Sequence, residues 1–186
     1  MVIDKIVQAR TRQEWRKWLS EFHDTEDYGW LIISKNQSIN YLDSVEEALC
    51  FGWIDSTRKK TDDNQTAQRF SPRKKNSNWT ELNKERVRRL DKLGFMTEAG
   101  KKVLPDMKVE SFAIDEAILM EFRRDDALYR NLQALPELYV RVRIDNIQSV
   151  RNDEKLYLHR LNKFIENTRL NKMYGQWNDN GRLIGY

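Results

Sequence analysis

The sequence predicts an α+β fold: a small antiparallel sheet that includes a 53–60/66–73 hairpin, with N-terminal helices and a C-terminal helical portion. Three observations predict it. Two capping boxes, at 11–14 and 44–47, each open onto an apolar stripe with helical spacing. Two β-rich runs flank a polar joint at 61–65, the pattern of a hairpin. After residue 77 the apolar spacing changes to the helical period and stays there.

Taken in order, Thr11-Arg12-Gln13-Glu14 is followed by Trp15, Trp18, Leu19 and Phe22, an amphipathic helix. The run 28–35, centred on Trp30-Leu31-Ile32-Ile33, reads as a buried strand ending at the turn-like Asn36-Gln37. Ser44-Val45-Glu46-Glu47 starts a short helix through Ala48, Leu49 and Phe51 that ends near Gly52. Strands follow at 53–60 and 66–73, with Pro72 closing the second or placing it at an edge.

Asn78, with Glu81 reaching back, caps a helix carrying Leu82, Val87, Leu90 and Leu93 and stopped by Gly94; Thr97 caps a shorter one. Ile114, Ile118 and Phe122 mark the next helix. Pro136 at a first helical position opens another, with Tyr139, Val142 and Ile147. Residues 156–170 form the last, with Leu161, Phe164 and Ile165 on one face, and the Gly/Asn-rich tail 175–186 reads as loose. The whole reads as one domain over 1–186, with an α+β core at 11–104 and a helical portion at 105–174.

Composition narrows the functional classes. Six Trp, seven Tyr and seven Phe supply enough large apolar surface for a folded core. The lone Cys50 rules out an internal disulfide, and no His/Cys spacing resembles a zinc site. No Gly-rich phosphate or dinucleotide loop occurs, so neither cofactor nor metal is expected. The start, Met1-Val2-Ile3-Asp4-Lys5-Ile6, lacks the apolar stretch of a signal peptide, and no run approaches a membrane span, so the expected compartment is the cytoplasm. The net charge of +4 is unevenly spread: residues 58–92 hold twelve Lys/Arg against five Asp/Glu. A local basic surplus suggests an anion-facing surface, although a solvated helix face with a loop produces the same count.

The stretch Glu47-Ala48-Leu49-Cys50-Phe51-Gly52-Trp53-Ile54-Asp55 resembles the signature of the YdeI/OmpD-associated (bacteriocin-protection) family. Gln68-Arg69-Phe70-Ser71-Pro72-Arg73, Ser77-Asn78-Trp79-Thr80, Asn83 and Gly94-Phe95-Met96-Thr97-Glu98-Ala99-Gly100 follow in the family's order. The resemblance covers about 11–104 and loosens through the later helices. It implies a role in protection against antimicrobial peptides or stress, and it transfers no catalytic residue set.

Strand alternation locates a candidate site. If Ile54 and Phe70 face the core, Asp55, Thr57 and Lys59 share the other face with Arg69, Ser71 and Arg73. That face is either an anion receptor built on arginine forks or a hairpin ordered by an Asp55–Arg69 ion pair. Trp53 and Trp79 flank it, as core packing or as walls of a site. Cys50, on an apolar helix face with no well-placed histidine, reads as an inert thiol.

The leading expectation is a binding or interaction protein whose partner is a small anion or another protein. The first alternative is an enzyme on a small acidic substrate, with Asp55 as general base and Arg69 and Arg73 holding the anion. The second is weak, non-specific nucleic-acid binding: the basic stretch has nearby aromatics but no recognisable nucleic-acid module.

Overall fold

The hydroxyl of Thr11 accepts the amide of Glu14, whose carboxylate accepts the amide of Thr11, and this reciprocal cap starts α1 (Arg12–Phe22). In the computed structural model, which describes residues 2–33, 38–75 and 77–186, the remaining helices are α2 (Tyr41–Cys50), α3 (Glu81–Lys92), α4 (Glu98–Lys101), α5 (Glu116–Arg123), α6 (Asp126–Ala134), α7 (Glu137–Gln148) and α8 (Glu154–Arg169). Strands β1 (Ile6–Val7), β2 (Gly29–Ile33), β3 (Trp53–Lys60) and β4 (Thr66–Pro72) form one sheet in the order β1-β2-β4-β3. The fold is α+β, as the sequence predicts. The sheet is mixed, however: β1 runs parallel to β2, while β2–β4 and β4–β3 are antiparallel. The end of the 28–35 strand expected at Lys35, Asn36 and Gln37 lies outside the described residues.

Two caps differ from expectation. Helix α2 begins three residues before Ser44, because Asn40 accepts the amide of Asp43 as its N-cap. Ser44 lies inside that helix, its hydroxyl bonded back to the carbonyl of Tyr41. Likewise Thr80, rather than Asn78, accepts the amide of Asn83 at the start of α3. The exit of α2 is as predicted: Gly52 takes a positive φ of 75°, open to glycine at little cost, and its amide returns to the carbonyl of Leu49.

The chain divides into two compact units, one of residues 1–78 and 86–105, the other of 79–85 and 106–186. In the first, α1 and α2 cover one face of the sheet. Trp15 of α1 lies 5.2 Å from Phe70 of β4, and Trp18 stands edge-on to Trp53 of β3 at 5.6 Å. Burying each such ring contributes about 1.5–3 kcal/mol. The two helices are also joined by charge. Arg12 reaches Asp43, Glu46 and Glu47, Arg16 reaches Glu47, and Arg89 of α3 reaches Glu46.

The second unit packs Ile118, Phe122, Leu128, Leu132, Tyr139 and Phe164 into a core shared by α5 to α8. The segment after α8, expected to be loose, is packed. Trp177 lies against Tyr139 at 5.5 Å, and Asp179 and Leu183 are buried.

Candidate functional site

The hairpin register decides which side chains meet. Trp53 pairs with Pro72, Ile54 with Ser71, Asp55 with Phe70, Arg58 with Gln68, Lys59 with Ala67 and Lys60 with Thr66. A bulge falls between Asp55 and Arg58, leaving Ser56 and Thr57 opposite Arg69. Gln68 Nε2 donates to the carbonyls of Thr57 and Arg69 at 3.3 and 3.4 Å, which satisfies backbone groups the bulge frees. Directly paired residues share a face. Asp55 and Arg58 therefore lie with Phe70 and Gln68 on the helix-covered face, and Ile54, Lys59, Arg69 and Ser71 lie on the opposite one.

This corrects the expected face in two ways. Asp55 is not beside Arg69: its pairing with the buried Phe70 turns it toward α2, where Tyr41 donates its hydroxyl to Asp55 Oδ2 at 2.7 Å. Ile54 is not a partner of Phe70 on the core side. The expected Asp55–Arg69 ion pair is thus replaced by a Tyr41–Asp55 hydrogen bond. An Asp55 base with Arg69 holding its substrate is likewise not assembled on one face.

On the helix-covered face, burial and then the charge of Asp55 push the Tyr41 hydroxyl up to about 12, so it stays a donor at neutral pH. The Arg58 guanidinium lies over the Tyr41 ring, 4.8 Å from its centre, and its Nε donates to Gln68 Oε1 at 3.3 Å. Tyr41, Arg58 and Gln68 were not among the expected site residues. The bulge that brings Arg58 to this face has no sequence signature here, and Tyr41 precedes the residues that carry the motif.

On the opposite face, Arg69 stacks on Tyr28, 4.4 Å from the ring centre, and Tyr28 in turn donates to Asp4 at 3.0 Å. Among the described residues no carboxylate lies within ion-pair distance of Arg69. Lys59 and Ser71, both half-buried, share this face with it.

Arg73, expected at the strand end on the face away from the core, is buried at 7% exposure. Its Nη1 donates to Ser77 Oγ and to the carbonyl of Asn78, at 3.3 and 3.2 Å. Burial pushes its guanidinium down to about 10, with the charge of Asp55 opposing, so it remains a cation at neutral pH. Trp53 is a core residue rather than a wall: it is fully buried, and its indole donates to the carbonyl of His23 at 3.0 Å. Trp79 is half-buried and belongs to the second unit.

Cys50 is fully buried, and burial, followed by the charge of Glu47, pushes its thiol from 9.0 up to about 12. At pH 8 the thiolate fraction is then on the order of 10⁻⁴, too small for a working nucleophile. Because the folded value lies above the unfolded one, this group's contribution to stability is complete below pH 9 and is lost as the pH rises toward about 12. Iodoacetamide at pH 8 should leave Cys50 unmodified in the folded protein and alkylate it on unfolding, as read by intact mass. Native alkylation at the rate of a free thiol would contradict this placement.

No curated protein and no solved structure matches the chain. A family model, described as Domain of unknown function (DUF8412), matches residues 7–103, a span that starts at the second residue of β1 and takes in β2, both helices that cover the sheet and the whole hairpin. The chain belongs to this family, Domain of unknown function (DUF8412).

Proposed function

We propose that the chain is a cytoplasmic binding protein that takes a small anionic ligand on the face of its hairpin carrying Lys59, Arg69 and Ser71. The observation that carries this reading is the state of Arg69. Its guanidinium is oriented by the Tyr28 ring, and no carboxylate of the described residues neutralises it. A stacked guanidinium keeps its planar fork in place, the geometry that grips carboxylate or phosphate through two parallel hydrogen bonds. The register supports the reading further, since it moves Asp55, the carboxylate expected beside Arg69, to the other side of the sheet. No helix among the described residues is long and apolar enough to cross a membrane. Protection against antimicrobial peptides or stress, the role implied by the YdeI/OmpD-associated resemblance, is the setting we propose for this binding.

Thermal unfolding in citrate at constant ionic strength tests it. A ligand at about a hundred times its dissociation constant stabilises the state it binds by about 2.7 kcal/mol. At this chain length that raises Tm by roughly 5–10 °C. Arg69→Ala should remove most of the rise while leaving the Tm without citrate within a degree or two. Arg58→Ala, on the opposite face, should retain the rise. An equal rise in wild type and Arg69→Ala would remove the hairpin face from consideration.

A further inference from the structure

The second unit holds a cationic recess that the hairpin reading does not use. Helices α7 and α8, with the segment that follows α8, line a hollow of about 360 Å³. Its basic lining is Arg143 from α7 and His159, Arg160 and Lys163 from α8, with Ile147 and Leu156 supplying apolar wall. The spacing of 159, 160 and 163 places the three α8 side chains on one side of that helix. The lining contains no Asp or Glu, and among the described residues none of its four basic side chains is engaged in an ion pair.

Several contacts fix these charges close together. The Arg143 guanidinium lies 5.1 Å from the centre of the Tyr174 ring, and Lys163 Nζ lies 4.9 Å from the same centre. Arg143 Nη2 donates to the carbonyl of Gln176 at 3.0 Å, while its Nε is sealed from solvent with no acceptor. Arg160 Nη1 is held by the carbonyl of Asn146. Two cations on one ring, with a third and a histidine beside them, repel one another unless an anion enters. The carbonyls neutralise none of that charge; they only fix where it sits.

We propose that this recess binds a compact phosphate-bearing molecule, a phosphomonoester with a short organic body. Three cations at the rim match a dianionic phosphate, with Arg160 and Lys163 as its principal donors. The volume is at the small end of ligand pockets, which suits a body of a few carbon atoms against Ile147 and Leu156.

Calorimetric titration of the full chain with inorganic phosphate and with ethyl phosphate, at about 150 mM ionic strength set by sodium chloride, tests the proposal. In Arg69→Ala, which lacks the hairpin cation, saturable one-to-one binding is expected, tighter for ethyl phosphate than for phosphate itself. Lys163 is exposed, so Lys163→Glu should fold normally and lose at least roughly tenfold in affinity, as should Arg160→Gln. Because Arg69→Ala removes the hairpin cation, the ethyl phosphate binding it retains belongs to this recess, which separates the two sites. Absence of saturable binding, an unchanged affinity in Lys163→Glu, or a loss confined to Arg69→Ala would overturn the proposal.

Discussion

Gly100→Ala should be among the most damaging single-methyl additions in the first unit. A Cβ at this position would lie 2.2 Å from the carbonyl oxygen of Cys50 and 2.7 Å from its carbon. That carbonyl cannot retreat easily. It accepts both the amide and the hydroxyl of Thr97, at 3.1 and 2.6 Å, and Thr97 is the residue that caps α4 by accepting the amide of Gly100. The end of α2 and the start of α4 are therefore held together by the same few atoms the new methyl would strike. Overpacking costs about 1–3 kcal/mol where neighbours can shift, and here the neighbour is pinned backbone. We expect a loss of about 3 kcal/mol or more, which lowers Tm by roughly 6–12 °C. Differential scanning calorimetry of the purified variant checks this; a Tm within two degrees of wild type would show that the two helices can part freely.

Arg141→Met should destabilise the second unit by a similar or larger amount. Arg141 is buried at 7% exposure and spans two carboxylates on the first turns of α3. Its Nη1 donates to Glu81 Oε2 at 2.9 Å and its Nη2 to Glu85 Oε2 at 3.0 Å. The side chain of Glu81 is 2% exposed and that of Glu85 is 11%. Removing the cation takes away the guanidinium that two carboxylates, both largely shut away from water, share. Glu81 keeps Lys84 Nζ at 2.9 Å and Glu85 keeps the Tyr186 hydroxyl at 2.8 Å, so the loss lies at the lower end for a broken buried pair, about 3 kcal/mol. Chemical unfolding should report this as a lower midpoint with an unchanged slope. Adding Glu81→Gln and Glu85→Gln to the Met variant should recover part of the loss, because part of the cost lies in buried negative charge that has lost its shared cation. A triple variant no more stable than Arg141→Met would place the effect in packing instead.

The parts of the fold that were legible in the sequence are those decided within a few residues. The Thr11–Glu14 box, the Gly52 and Gly94 stops, the Thr97 cap and the first hairpin strand each depend on neighbours along the chain, and each stands where the residues predict. The second strand ends at Pro72, one residue short of the expected 66–73. Ser44 and Glu47 match the same box as Thr11 and Glu14, yet Glu47 is taken by Arg12 and Arg16 from another helix, and Asn40 caps in its place. A local pattern cannot show that its acidic member has a better partner 31 or 35 residues away. Strand β1 was missed because two residues carry no periodicity; its existence depends on the parallel pairing of Ile6 and Val7 with Trp30 and Leu31. Helix α6 did carry a signal, the Asp125 cap followed by Leu128 and Leu132.

The candidate site was legible in composition and only partly in geometry. Lys59, Arg69 and Ser71 do share a face, because they are related by pairing and by alternation on the β4 side of the bulge. Asp55 departs from them because one bulge changes the phase of β3, and period-2 reasoning has no means of detecting it. Arg73 departs because its burial is set by Ser77 and Asn78, beyond the strand.

Whether Arg69 receives an anion on the hairpin face can be read from the arginine side-chain Nε–H signals in nitrogen-15 spectra during a citrate titration at fixed ionic strength. The Arg69 signal should move saturably, with a midpoint equal to that of the thermal stabilisation. The Arg58 signal, on the other face above Tyr41, should stay in place. A stationary Arg69 signal, or equal drift of all the arginine signals with no saturation, would contradict anion binding at Arg69.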